Sequence, residues 1–172
     1  MENSKEKYDA ELMDVGGKKI LLIHDRIPTD LQPVPLIDWV KDLGIVEKKI
    51  LIVDDNEMMR RLNADIIKHS DKFQEYKLEL ASDGSKAIEL MKQNDYCVVI
   101  SDYEMPLVDG AGLHKWMREN LPQKVSTYVL VASLRSQESL NFVENYKPRF
   151  IAKGAGGSND LLLKNLEEIL KA

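Results

Sequence analysis

Three carboxylates hold most of the chemistry that this sequence offers. Asp54 and Asp55 follow the apolar run Lys49-Ile50-Leu51-Ile52-Val53, and Asp102 follows Cys97-Val98-Val99-Ile100-Ser101. A short apolar run bounded by polar residues reads as a buried strand of a parallel sheet. Parallel neighbours end at the same edge, so acids at both carboxyl ends can converge. Adjacent carboxylates repel, which costs free energy unless a cation or a chemical task holds them together. An all-oxygen donor set suits a hard ion such as Mg2+. Beside such an ion a carboxylate can act as nucleophile toward an anionic phosphoryl donor, because the cation offsets the donor's charge.

The elements that must position these acids alternate from Lys48 onward. Strands are predicted at about 49–53, 77–80, 97–101, 128–132 and 149–152. Between and after them, helices are predicted at about 57–69, from 85, at about 111–119, between 136 and 145, and from 158. Helical spacing assigns Met59, Leu62 and Ile66 to the buried face of the first helix. It assigns Ala87, Ile88 and Met91 to the second, and Leu162, Leu166, Ile169 and Leu170 to the last. The alternation implies an α/β fold with a parallel sheet. Asn56 or Asp55 can cap the first helix, and Asp109-Gly110 reads as a turn before the third helix rather than a second catalytic acid.

Upstream, residues 1–17 are polar, end in Gly16-Gly17, and are expected to form a flexible tail with at most one helical turn around Tyr8 to Met13. Lys18 to Ile23 reads as a strand. Pro28, Pro33 and Pro35 exclude a regular helix before the helical spacing of Leu36 to Leu43, which Gly44 closes. Residues 18–47 are therefore read as a strand-helix extension ahead of a main domain over 48–172. The extension is expected to be ordered, because leaving Trp39 and its aliphatic neighbours in water is costly. Joining the main sheet at an edge and covering a helical face are its two expected placements. Lys18 to Asp25 echoes Lys48 to Asp55, but two buried strands of similar composition look alike whatever their origin.

Composition narrows the classes. The 172 residues allow one ordinary domain and an extension. A hydrophobic content of 44% suits a globular core, and a net charge of -5 argues against a nucleic-acid-binding face. No stretch approaches the roughly 18 apolar residues of a membrane span. Met1 to Lys7 lacks the apolar core of a secretory signal. Cys97, the lone cysteine, cannot form an internal disulfide, and His24, His69 and His114 are too scattered to suggest zinc. A cytoplasmic protein is expected.

The ordered motifs resemble the receiver domain of two-component response regulators. The matching pieces are Ile50-Leu51-Ile52-Val53-Asp54-Asp55-Asn56, Ala81-Ser82-Asp83-Gly84-Ser85-Lys86-Ala87, Ser101-Asp102-Tyr103-Glu104-Met105-Pro106-Leu107-Val108-Asp109-Gly110 and Phe150-Ile151-Ala152-Lys153. They cover about residues 48–172. The resemblance implies a flavodoxin-like, doubly wound, five-stranded parallel sheet of order 2-1-3-4-5. It implies Asp102 as phosphoacceptor, and Mg2+ held by Asp54, Asp55, Asp102 and the backbone carbonyl of Glu104. Lys153 would pair with Asp102 and later with the phosphoryl group, and Ser133 would supply a hydroxyl to that group. A register placing Ala132 at the hydroxyl position is the alternative. Phe150 matches the family's rotating aromatic, although a fixed core phenylalanine is equally consistent with the sequence. The sequence departs from the family at Gly154, where proline normally follows the lysine, and at Leu134, where a small residue is usual.

The resemblance further implies a histidine kinase or phosphotransfer protein as donor. It also implies a downstream target protein meeting the face of the fourth helix, fifth strand and fifth helix. A homodimer is compatible; nucleic acid and membrane are not expected partners. No DNA-binding helix pair or cyclase motif follows the last predicted helix, so a single-domain regulator rather than an enzyme is the expectation. Two rivals remain. One is a scaffold that binds partners without phosphorylation, suggested by Gly154, Leu134 and the extension. The other is a Mg2+-dependent phosphohydrolase, which usually carries a second aspartate two residues after its nucleophile; Glu104 stands there instead.

Overall fold

A computed structural model describes residues 10–15, 18–23 and 47–171, the first two segments by their backbone alone. The chain divides into two compact units, Met1–Glu47 and Lys48–Ala172.

In the first unit, β1 (Ala10–Val15) and β2 (Lys18–Ile23) form a two-stranded antiparallel sheet with Val15 opposite Lys18. The strand expected at Lys18 to Ile23 is present, but its partner is β1 and not a strand of the larger sheet. The flexible tail and helical turn expected before it give way, at Ala10–Val15, to strand. The sequence signal was Gly16-Gly17 between two runs of strand length, the pattern of a two-residue hairpin connection. The helix predicted at Leu36 to Leu43 lies outside the described residues.

The second unit contains β3 (Lys49–Val53), α1 (Glu57–Lys68), β4 (Lys77–Ala81), α2 (Gly84–Gln93), β5 (Val98–Ser101), α3 (Gly110–Asn120), β6 (Tyr128–Ala132), α4 (Gln137–Tyr146), β7 (Arg149–Ala152) and α5 (Ser158–Lys171). The five strands are all parallel, in the order β4-β3-β5-β6-β7. Counted within the sheet this is 2-1-3-4-5, the flavodoxin-like arrangement expected. Strand alternation assigns side chains to two layers. Leu51, Val53, Val99, Leu130 and Ala132 face α2, α3 and α4, where they meet Ala87, Met91, Leu113, Met117 and Phe142. Ile50, Ile52, Val98, Ile100, Val129, Val131 and Ile151 face α1 and α5, where they meet Ala64, Ile67, Leu162 and Leu166. Both faces are covered, which is why these strands read as continuous apolar runs.

Polar residues set the helix starts. Asn56 accepts hydrogen bonds from the amides of Met58 and Met59, Asp83 from that of Lys86, and Asp109 from that of Gly112. Ser136 and Ser139 form a reciprocal capping box on α4. One buried face differs from expectation. Leu62 is 48% exposed, and α1 instead buries Ala64 and Ile67, with Ile66 partly covered. The helix is turned so that its smallest residue, Ala64, lies against the sheet.

Candidate functional site

The carboxyl ends of β3 and β5 lie side by side where the strand order reverses, since β3 is paired on one side with β4 and on the other with β5. Sheets of this kind bind ligands in the crevice outside that point. The hydrogen-bond ladder runs one step past the strands and fixes the acids. Asp54 donates its amide to the Ala81 carbonyl at 3.2 Å, and Asp102 donates its amide to the Val53 carbonyl at 2.8 Å. One carboxylate oxygen from each of Asp54, Asp55 and Asp102 then falls within 4.8 Å of the others. Asp54 and Asp102 are buried and Asp55 is exposed.

Lys153 reaches this cluster from the end of β7. Its amide donates to the Ala132 carbonyl at 3.1 Å. Its Nζ lies 2.8 Å from Asp54 Oδ2 and 2.7 Å from Asp102 Oδ2. The remaining oxygens are held by the backbone: Asp54 Oδ1 accepts from the Asn56 amide at 2.9 Å, and Asp102 Oδ1 from the Tyr103 amide at 2.7 Å. Each buried carboxylate is thus fixed from two sides.

The electrostatics remain unbalanced. Three carboxylates face the Lys153 ammonium and the Arg60 guanidinium, which lies over the Asp54 and Asp55 carbonyls, so an excess of one negative charge remains when all three acids are ionised. Burial and the neighbouring Asp54 charge push the Asp102 carboxyl above the ordinary aspartate range, against the opposing pull of Lys153 and the Tyr103 amide. Burial alone would lower Lys153, but hydrogen bonds and charge from Asp102 and Asp54 outweigh it and raise the ammonium's pKa. The site holds a firmly charged lysine and an aspartate whose ionisation is costly, so it has room for more positive charge. Three carboxylates at this spacing form an oxygen-only donor set that fits Mg2+.

The other expected residues sit around this cluster. Glu104 lies two residues past Asp102 on the loop leaving β5, with its side chain exposed. Ser133 is the first residue beyond β6, at the same sheet edge as the acids. It is half-buried, and its hydroxyl makes no hydrogen bond among the described residues. Ala132, the alternative in that register, is the last residue of β6 and fully buried. Phe150 pairs in register with Leu130 and packs, half-buried, on the cluster that contains Tyr103 and Phe142. Leu134 packs on the same cluster. Gly154 has a φ of +73°, a conformation that glycine adopts without strain, and a Cβ there would meet nothing within 4 Å.

Two residues of the site were not recognised from sequence. Arg60, in the first turn of α1, turns its guanidinium back onto the acid turn. It donates to the carbonyls of Asp54 and Asp55, the latter at 3.0 Å. A cation one turn into the helix that follows an acid pair was the available signal. Gly110, read as part of a turn, is a close-approach position. A Cβ there would contact the Asp102 carbonyl and lie 2.9 Å from Tyr103 Cα. Its amide donates to the Tyr103 carbonyl at 2.8 Å, and its carbonyl accepts from the Tyr128 hydroxyl at 2.9 Å.

Comparison with known proteins fits this geometry. Residues 50–167 match the family model of the response regulator receiver domain. A protein-glutamate methylesterase/protein-glutamine glutaminase from Methanococcus maripaludis is 32% identical over 123 residues, covering 72% of this chain and 33% of its own length. A probable chemotaxis protein CheY from Rhizobium etli is 32% identical over 92 residues, covering 53% of this chain and 69% of its own. The chain therefore spans about a third of the methylesterase relative and more than half of the chemotaxis relative. Among solved structures, the signal receiver domain of a histidine kinase from Syntrophus aciditrophicus superposes with a TM-score of 0.63 at 21% identity, covering 72% of this chain and 90% of that one. Chemotaxis protein CheY4 of Vibrio cholerae gives 0.59 at 23% identity, covering 72% and 99%. At these identities the superpositions speak for the fold. Among the described residues, no helix is long and apolar enough to cross a membrane.

Proposed function

This chain belongs to the response regulator receiver family of two-component signalling, and from that premise we propose that it is a phosphoacceptor whose reacting residue is Asp102. The reading rests on one observation above all: the Lys153 ammonium bridges Asp54 and Asp102 at 2.8 and 2.7 Å, beside Asp55. That arrangement provides an oriented nucleophile next to a cation-binding acid pair.

In the proposed reaction a phosphoryl group passes from a phosphohistidine of a histidine kinase or phosphotransfer protein. The N–P bond breaks, an O–P bond forms at an Asp102 carboxylate oxygen, and the imidazole leaves with the electron pair. Asp54, Asp55, Asp102 and the Glu104 carbonyl would hold Mg2+, which supplies charge neutralisation of the incoming phosphoryl oxygens. The Tyr103 amide fixes one oxygen of the Asp102 carboxylate at 2.7 Å. Lys153 reduces the repulsion between that carboxylate and an anionic donor, then pairs with the phosphoryl oxygens. Ser133, at the neighbouring strand end, donates its hydroxyl to the same group.

The output is a population shift in the face formed by α4, β7 and α5, which would present a binding surface to a downstream protein. Ser133 and Lys153 follow β6 and β7 directly, so their movement toward the phosphoryl group pulls on the loops leading into α4 and α5. Phe150, half-buried against the core cluster on that side of the sheet, is placed to reorient with them. The reading includes cytoplasmic residence and a regulatory rather than enzymatic role. Domain limits of 18–47 for the extension and 48–172 for the receiver are proposed with it.

Incubation with acetyl phosphate and Mg2+, followed by intact-mass measurement, tests the reading. A phosphoacceptor gains one labile phosphoryl group. A phosphorylation-independent scaffold gains none, and a phosphohydrolase consumes the donor continuously without matching accumulation.

A further inference from the structure

A groove of about 480 Å³ lies between α3 and α4, and the proposed reaction does not use it. Its volume falls in the range of small-molecule sites. Half-exposed Tyr146 of α4, backed by the buried Phe142 with ring centroids 5.3 Å apart, forms an aromatic wall. Gly112 of α3 keeps the opposite wall low. Arg118 stacks over the Tyr146 ring at 4.9 Å.

His114 is the unusual lining residue. It is only 3% exposed, yet its imidazole makes no hydrogen bond among the described residues. No fully buried side-chain nitrogen or oxygen there lacks a partner. The small surface His114 retains therefore includes ring nitrogen, and that surface opens into the groove. Tyr128, Phe142 and Tyr146 hold the ring edge-on at 5.0, 5.3 and 5.6 Å, so its direction is fixed. Burial, with the charge of Arg118, pushes its pKa below the ordinary histidine value, so at neutral pH it carries one donor and one acceptor nitrogen.

The rim is cationic in a protein of net charge -5. Lys115 and Arg118 form no ion pair among the described residues, and Glu119 is the single acid of the lining. We propose that this groove binds a small aryl carboxylate, its ring against Phe142 and Tyr146 and its carboxylate met by Arg118 and the His114 N–H. The aromatic wall selects a flat apolar body. The two unpaired cations select an anion, and the unpartnered imidazole adds a directional contact.

Phenylacetate is the probe, titrated into the full chain and followed by amide and histidine side-chain NMR. Saturable shifts centred on Gly112, His114, Arg118 and Tyr146 are expected. Phenylacetamide, which keeps the ring and loses the charge, should bind about tenfold more weakly, as should Arg118→Gln, which removes one charge-assisted hydrogen bond. His114→Phe keeps the aromatic packing and should also weaken binding, whereas Asp102→Asn should leave it unchanged. Absence of saturable shifts overturns the proposal. So do shifts scattered over all surface lysines and arginines, or equal binding of the amide and the acid. Full affinity in Arg118→Gln, an exposed position that leaves the fold intact, overturns it as well.

Discussion

Replacing Lys153 with methionine isolates the electrostatics of the acid cluster. The change keeps the aliphatic stem and removes the ammonium that bridges Asp54 and Asp102. Two buried carboxylates would then face each other without a cation. Removing one partner of a buried ion pair costs about 3–5 kcal/mol. Lys153 retains 21% side-chain exposure and Asp55 opens the cluster to water, so the expected loss is nearer about 2–3 kcal/mol. Urea denaturation without divalent ions should show it as a lower midpoint with an unchanged slope. Mg2+ should restore most of the loss, because binding to the native state adds about 2.7 kcal/mol at about 100 times Kd. The ammonium and the metal compete for the same oxygens, so Lys153→Met should bind Mg2+ more tightly than the parent. Adding Asp102→Asn should recover part of the loss without metal, since the two positions are in contact and do not behave additively. A Lys153→Met protein within about 0.5 kcal/mol of the parent, and equally indifferent to Mg2+, would refute the reasoning.

Three further outcomes follow from the same geometry. Asp102 has a folded pKa raised above its unfolded value, so its contribution to stability falls as pH rises from about 4 through the folded pKa. Asp102→Asn should therefore stabilise the metal-free protein at pH 7, and the gain should vanish below about pH 4 in acid titrations followed by circular dichroism. Gly110→Ala forces a Cβ into contact with the Asp102 carbonyl and to 2.9 Å from Tyr103 Cα. It should cost about 2–3 kcal/mol and slow phosphoryl labelling, as seen by urea midpoint and intact mass. Leu107 is 85% exposed at a φ of +64°, a strained conformation for leucine. Leu107→Gly should raise stability by about 0.5–1 kcal/mol, and a fall would contradict that account.

The main unit was legible because its strands are buried on both faces and its helices carry their own start signals. The sequence alone places Asp54 and Asp102 at one edge, since parallel strands share an orientation. The antiparallel pairing of β1 and β2 is hard to read from sequence because β1 lies in a polar stretch that ends in two glycines, the composition of a flexible tail. Leu62 misled because helical periodicity gives a stripe but not its rotation against the sheet; the close fit of Ala64 and Ile67 decided that. Gly110 acts through close approach, which leaves no pattern in residue type alone, and the one sign of Arg60 is a cation one turn into the helix after the acid pair. Lys153 was legible because the strand-ending run Phe150-Ile151-Ala152 fixed its place at the acid edge.

Reductive trapping of the phosphorylated chain tests the central claim most directly. After acetyl phosphate and Mg2+ treatment, borohydride converts an aspartyl phosphate to homoserine, and peptide mass spectrometry locates the change. The account predicts homoserine at position 102, and none anywhere in Asp102→Asn. Homoserine at position 54 or 55, or a phosphoryl group retained on histidine, would contradict it.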